Sequence, residues 1–362
     1  MVTIDLITGF LGSGKTTFIK KYAEYLISQG LNIGILENDY GAVNVDMMLL
    51  QELEGEKCEL EMIAGGCDKE THRRRFRTKL IAMGMCGYDR ILVEPSGIYD
   101  VDEFFDILHE EPLDRWYEPG SVITIVDANL EEEMSEEENY ILASEAASVG
   151  KIVFSKIGKN LKTEKEAQME EKESIAKAEE SISKVLAHIN IALKQIKCER
   201  VIEEKDCLCK NWDTLTKADF QDLMSAGYTP ENYQKLDFEQ DSVFESLYFL
   251  NKKISVENMK KAAEELFQNP DCGHIFRIKG FLNTNYKEEV MMENKMEDEM
   301  EKVDKPRITK AESWKEFNAT RKNISIQPVK EGQEVLIMIG AGLKQEKIEE
   351  CLERHCTEGF EK

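Results

Sequence analysis

"VTIDLITGFLGSGKTTFIKKYAEYLISQG", residues 2–30, decides how the rest of this chain is read. It opens on "VTIDLIT", an alternating, β-branched run that pairs readily into a sheet. It closes on "TTFIKKYAEYLISQG", where Phe18, Ile19, Tyr22 and Leu26 recur at helical spacing before a stop at Gly30. Between the two stand Gly9, Gly12 and Gly14, although glycine is the poorest helix former after proline. The pattern G-x-x-x-x-G-K-S/T, filled by Gly9, Gly14, Lys15 and Thr16, accounts for them. Such a loop turns successive backbone N–H groups inward around phosphate, and the helix behind it adds the positive end of its dipole. Lys15 reaches the terminal phosphates and the Thr16 hydroxyl ligates Mg²⁺, with Gly12, Ser13 and Thr17 completing the cradle. The competing explanation is an accidental glycine turn. Four fixed positions recur by chance in about one chain of this length per hundred, and the flanking strand and helix make the accident rarer still.

The 362 residues suffice for about two domains, each able to bury a core. Lys and Arg number 47 against 71 Asp and Glu, a formal net charge of −24. A chain this acidic is repelled by nucleic acid and by anionic membrane surfaces, so neither is an expected partner. No signal-peptide pattern and no run of about twenty apolar residues is seen, so a cytoplasmic location is expected. The nine cysteines, at 58, 67, 86, 198, 207, 209, 272, 351 and 356, are scattered and odd in number. That favours free thiols, some of them metal ligands, over a disulfide framework.

Strand-like runs alternate with helical ones through residue 160: "TIDLIT", "NIGILEN", "DRILVEP", "SVITIVDA" and "KIVFSKI". The alternation predicts an α/β domain with a mostly parallel sheet and flanking helices over residues 1–225. A long helix is expected as an insertion at about 163–198, its stripe of Ile182, Val185, Leu186, Ile189, Leu193 and Ile196 packing into a core. A smaller α+β domain is expected over 240–362, from "VFESLYFL", "SVENMKKAAEELFQ", "HIFRIKGFL", "NISIQPV", "EVLIMIGAG" and "KQEKIEECLER". The charge-dense stretch at about 284–306 reads as a mobile acidic insertion.

Together these stretches resemble one family, the CobW-like P-loop GTPases related to HypB and UreG. "GFLGSGKTT" looks like its phosphate loop, "ENDYGAVNVD" its N-E-F-G-x-x-x-x-D segment through Asn38, Asp39, Tyr40, Gly41 and Asp46, and "ILVEPSG" its E-x-x-G strand end through Glu94 and Gly97. "HIFRIKGFL" and "EVLIMIGAGLKQEKIEECL" look like its C-terminal domain. The resemblance implies that Thr16 and Glu94 hold Mg²⁺, that Gly97 admits the γ-phosphate, and that Asp39 orients water or meets the metal, an ordinary solvated turn being the alternative for Asp39. It implies GTP as nucleotide, slow hydrolysis without a partner, and metallochaperone work for a client metalloenzyme, with cobalt or corrinoid metabolism as one setting. A homodimer is suggested by analogy alone.

Two departures stand out. Where the family carries N/S-K-x-D for guanine, Ser155 and Lys156 match but Gly158 replaces the aspartate, which relaxes the expected preference for GTP over ATP. Where it carries C-x-C-C, this chain has Cys67 followed by Lys69 and Glu70. Glu70 and His72 complete a mixed site for Zn²⁺, Co²⁺ or Ni²⁺ with Cys67 on one reading; a buried structural Cys67 is the favoured one. The remaining thiols, in "CLC" at 207–209 with Cys198 nearby, "CGH" at 272–274 and "HC" at 355–356, offer further ligands only if the fold makes them converge. "HRRRFRTK" reads most simply as a solvated helix face. A nucleotide-gated chaperone module that carries no metal is the alternative function.

Overall fold

The computed structural model describes residues 1–10, 12–39, 45–64, 69–95, 101–130, 134–157, 167–235, 245–284, 314–321, 324–330 and 332–356. They divide into two compact units, Met1–Asp237 and Phe238–Lys362.

The first unit runs β1 (Val2–Thr8), α1 (Lys15–Ser28), β2 (Ile33–Asp39), α2 (Val45–Leu50), β3 (Cys58–Ala64), α3 (Lys69–Met83), β4 (Arg90–Pro95), α4 (Val101–Leu108), α5 (Leu113–Trp116), β5 (Tyr117–Asp127), α6 (Glu136–Ala147), β6 (Lys151–Ser155), α7 (Ala167–Gln195), β7 (Cys207–Leu208) and α8 (Lys217–Met224). Its seven strands lie in the order β3-β2-β4-β1-β5-β6-β7, and every pairing is parallel. Parallel strands covered on both faces read as continuous apolar runs, and β4 is buried at every position. Its Ile91 and Val93 join a core with Phe76, Leu80 and Phe104 on one face. Leu92 faces the other way, into a core with Phe18, Ile19, Tyr22 and Phe220. In such a sheet the ligand crevice lies beyond the carboxyl ends of the strands, where two adjacent strands send their connections to opposite sides. Here those strands are β1, which connects to β2 on the β4 side, and β5, which connects to β6 on the other.

The second unit runs β8 (Glu245–Leu250), α9 (Val256–Gln268), β9 (His274–Asn283), β10 (Trp314–Thr320), β11 (Ile324–Val329), β12 (Val335–Ala341) and α10 (Gln345–His355). Its sheet, ordered β11-β10-β9-β12-β8, is antiparallel throughout. Met259, Ala262, Ala263 and Leu266 of α9 and Ile348, Cys351 and Leu352 of α10 share one core with Ile278, Phe317 and Met338 of the sheet.

The parallel sheet and the second α+β unit are as expected. Three strands escaped the sequence reading, the shortest of them the two-residue β7. Residues 58–64 form β3, an edge strand in which Cys58, Leu60 and Met62 alternate with Glu59 and Glu61, a period of two that the sequence reading passed over. "WKEFNAT" forms β10, in which only Phe317 and Ala319 are buried. The helix expected at 163–198 is described from Ala167 to Gln195, with Val185, Ile189 and Leu193 buried and α6 packed beside it. The acidic insertion expected at 284–306 lies outside the described residues from 285 onward. The basic run on α3 is more than a solvated face: Arg73 and Arg77 both pair with Glu110, and Lys79 with Glu61, while Arg74 and Arg75 are exposed.

One buried polar group ties the first unit together. Asp5 of β1 is fully buried and accepts hydrogen bonds from Arg90 Nη1 at 2.6 Å, the Tyr22 hydroxyl at 3.0 Å and the Ser121 N–H at 2.8 Å. One carboxylate thereby links β1, α1, β4 and β5. Burial nevertheless pushes its carboxyl above the usual range, against the pull of Arg90. Breaking such a pair from one side leaves an uncompensated buried charge, so Arg90→Met is expected to cost about 3 to 5 kcal/mol at neutral pH. The loss should shrink as pH falls, because a raised carboxyl takes up its proton more readily in the folded state than in the unfolded one. Urea unfolding at two pH values checks both the size and the sign.

Candidate functional site

β1 ends at Thr8, and the chain then turns through Gly9 at φ +144°. A Cβ at position 9 would lie 2.3 Å from the Ile125 carbonyl oxygen of β5, so the loop backbone runs too close to the neighbouring strand for any side chain. Gly14 caps α1 in the left-handed region at φ +102° and supplies no side-chain oxygen to the helix. A Cβ there would meet the Trp212 ring at 3.3 Å. The first N–H groups of α1 are thus left to face whatever occupies the loop, together with the positive end of the helix dipole.

Inside this turn Lys15 is 7% exposed and donates from Nζ to the Gly9 carbonyl at 2.8 Å. Ser13 is buried, Gly12 half-buried, and Thr17 points outward. Thr16 Oγ1 donates to Glu94 Oε1 at 2.9 Å across a buried contact that joins α1 to the end of β4. A hydroxyl and a carboxylate at that separation, beside a phosphate cradle, are the hard oxygen donors that Mg²⁺ selects, so the residues present fit that ion. Glu37, at the end of β2, pairs in register with Glu94, and both are almost fully buried.

Beneath the loop lies Glu145 of α6, which the sequence reading passed over. It is fully buried, and its Oε1 accepts the Gly9 N–H at 3.3 Å. Burial pushes this carboxyl up to about 7, and the Lys15 charge and the Gly9 N–H pull against that rise. The signal available was a lone carboxylate among the small residues of "LASEAAS".

The other end of the crevice is formed after β5 and β6. Ser155 is buried with its hydroxyl on the Val126 carbonyl at 3.3 Å. Lys156 adopts φ +60°, a region non-glycine residues rarely occupy, and its ammonium pairs with Asp127. Trp212 donates its indole N–H to the Phe154 carbonyl at 2.9 Å and meets Phe18 edge-on at 5.6 Å. An aromatic plane therefore flanks the start of α1 on the side of Ser155.

Of the residues singled out from sequence, Gly9, Gly12, Ser13, Gly14, Lys15, Thr16 and Glu94 are brought together, and Ser155 and Lys156 stand at the end of β6, next to β5. Gly97, Gly158 and Cys67 lie outside the described residues, as does the Asp39 side chain. Glu70 and His72 are not brought together. His72 is fully buried on the face of α3 that carries Phe76 and Leu80, whereas Glu70 is exposed, as a separation of roughly 200° around a helix requires.

A glycine loop between a central parallel strand and an uncapped helix, with a buried lysine and a Thr–Glu pair at its mouth, defines a nucleotide-binding protein of the phosphate-loop class. The family model described as CobW/HypB/UreG, nucleotide-binding domain, matches residues 3–184, half of the chain, and the chain belongs to that family. The zinc chaperone YjiA of Escherichia coli (strain K12) is 28% identical over 146 residues, 37% of this chain and 43% of that protein. The zinc chaperone YeiR of the same organism is 30% identical over 143 residues, 39% of this chain and 42% of that protein. The matched stretch thus spans less than half the length of these curated relatives. A solved Zn(II)-bound YjiA GTPase from E. coli is 17% identical and aligns over 98% of this chain and 99% of that chain, at a TM-score of 0.32. No helix among the described residues is long and apolar enough to cross a membrane.

The raised Glu145 carboxyl makes stability depend on pH with a defined sign. Its ordinary value is 4.5 and its folded value about 7, so the folded state holds the extra proton between these limits. Stability should therefore fall as pH rises through that window, by about 3 kcal/mol from this group. Glu145→Gln, which cannot ionise, should flatten the slope. Chemical denaturation of both proteins across the window checks this, and parallel pH dependences would refute it.

Proposed function

We propose that this chain is a Mg²⁺-dependent GTP-binding NTPase that couples hydrolysis to delivery of a metal ion to a client metalloenzyme. The observation that carries the nucleotide half of this reading is the Thr16–Glu94 pair at 2.9 Å beside a Lys15 held inside the glycine loop. Lys15 and the loop N–H groups stabilise charge developing on the phosphates, and Thr16 and Glu94 hold Mg²⁺. When bound, that ion supplies Lewis-acid neutralisation of the phosphate oxygens. Asp39 orients the attacking water from the end of β2, and Gly97 lets backbone approach the γ-phosphate. Ser155 and Lys156 flank the base. Hydrolysis by the isolated chain is slow, a client or a second copy of the chain completing the site. Family membership supports the metal half, and the names of the curated relatives make Zn²⁺ the cargo to test first, with Co²⁺ and Ni²⁺ next and a cobalt or corrinoid client as one setting.

A second reading, a nucleotide-gated chaperone that carries no metal at the family position, draws on one specific observation. Lys69 and Glu70 stand where two thiols would be, and Glu70 and His72 face opposite ways on α3.

Lys15→Ala should weaken binding of a non-hydrolysable GTP analogue by about 1.5 to 3 kcal/mol, the range of a charge-assisted hydrogen bond, with a cooperative unfolding transition retained. Unchanged affinity in calorimetric titration would sink the nucleotide reading.

Gly158→Asp should raise the preference for GTP over ATP by about tenfold or more, since a carboxylate would again pair with guanine. Competition binding measures the ratio. Strong discrimination in the wild type would mean that another group has taken over that aspartate's part.

A further inference from the structure

The second unit carries a set of side chains that the nucleotide site does not use. Glu265 of α9 and Cys351 and His355 of α10 point into one space, where their ligand atoms all lie within 4.8 Å of one another. His355 Nε2 donates to Glu265 Oε2 at 2.9 Å, and Arg354 holds the other carboxylate oxygen, Oε1. Cys351 is fully buried and occupies the turn of α10 before His355, so thiol and imidazole share one helix face at a spacing of four residues. Cys272, also fully buried, belongs to the same core and lies near enough to Glu265 and Cys351 for their charges to influence one another.

We propose that Glu265, Cys351 and His355 form a Zn²⁺ site in the second unit, separate from the nucleotide crevice and from Cys67. A thiolate, an imidazole and a carboxylate are the three donor types Zn²⁺ takes, and three protein ligands leave a fourth position for water or an incoming ligand. That is the coordination of an ion that can be exchanged, where a closed structural site would have four protein ligands. A tetrahedral Zn²⁺ spaces its ligands by roughly 3.5 Å, so a side-chain adjustment of about an ångström closes the set. On binding, the ion displaces the Cys351 thiol proton to solvent and takes the Nε2 lone pair of a neutral His355, whose single ring proton then sits on Nδ1. Arg354 stays on Glu265 Oε1 and fixes the carboxylate, as groups around a metal's ligands commonly do. The last turn of α10 adds the negative end of its dipole, which favours a cation there. The "HC" and "CGH" segments visible in the sequence are thereby drawn to one place, with the carboxylate supplied by α9.

The proposal does not depend on the nucleotide reading, and its test separates the two. The full chain is stripped with a chelator and titrated with Co²⁺ as a visible substitute for Zn²⁺, in a Cys67→Ser background so that the family position cannot contribute. One Co²⁺ should bind with a thiolate charge-transfer band in the near ultraviolet, and Zn²⁺ should displace it. Cys351→Ser should abolish the band, and His355→Ala should weaken Co²⁺ binding by at least about tenfold. His355 is partly exposed, so its variant remains informative where substitution of the buried cysteine impairs folding. Loss of the band in Cys351→Ser together with weakened binding in His355→Ala supports the site. A band that survives Cys351→Ser, affinity indifferent to His355→Ala, or no Co²⁺ bound by the folded Cys67→Ser protein would each overturn it.

Discussion

The backbone after β1 passes so near β5 that position 9 has no room for a Cβ, and the geometry of the nucleotide crevice follows from that close approach. The loop pressed against this strand gives its Gly9 N–H to Glu145 and its Ser13 N–H to the Phe10 carbonyl, and the first N–H groups of α1 are left to face the crevice. Gly14 repeats the constraint at the far end of the loop, where a left-handed turn starts α1 with no side chain capping it. Just past Gly14, Lys15 is drawn inward onto the Gly9 carbonyl and Thr16 is aimed at Glu94. The Lys15 ammonium, held inside protein and near the helix dipole, keeps more of its field than a surface lysine would. Thus a chain with a net charge of −24 still sets a lysine and a helix N-terminus at this loop.

Glu145 makes this arrangement conditional. It lies under the loop, in contact with the Gly9 N–H and within reach of the Lys15 charge. A phosphate entering the cradle brings further negative charge, which favours the protonated carboxyl. Nucleotide binding and the protonation of one buried glutamate are then linked through the same lysine. At the other end of the crevice, Lys156 is fixed by Asp127 and by an unusual backbone conformation, while Trp212 packs against the start of α1. The loop end of the crevice is built mainly from backbone and the opposite end mainly from side chains.

What was legible in the sequence divides along the same line. The phosphate loop could be read because its chemistry is set by glycines at fixed spacing within one short stretch. Glu94 could be read because it ends an apolar strand. Glu145 could not, since its part arises only when α6 packs under a loop 136 residues earlier in the chain. Glu37 was overlooked beside Asn38 and Asp39, although its register opposite Glu94 follows once β2 and β4 pair. β3 was passed over although Cys58, Leu60 and Met62 alternate with Glu59 and Glu61, β7 is only two residues long, and β10 buries only Phe317 and Ala319. In the second unit Cys351 and His355 were visible as a thiol and an imidazole. Glu265, 90 residues before His355, joins them only through the packing of two helices.

The central claim is that Thr16 and Glu94 form the cation-binding edge of a nucleotide site. Its most direct test is calorimetric titration of a non-hydrolysable GTP analogue, with and without Mg²⁺, into the wild type and Glu94→Gln. The account predicts that Mg²⁺ tightens binding in the wild type and adds little or nothing in Glu94→Gln, while the Mg²⁺-free affinities of the two proteins stay alike. Equal tightening in both proteins would contradict it, because the cation would then be held without the carboxylate at the end of β4.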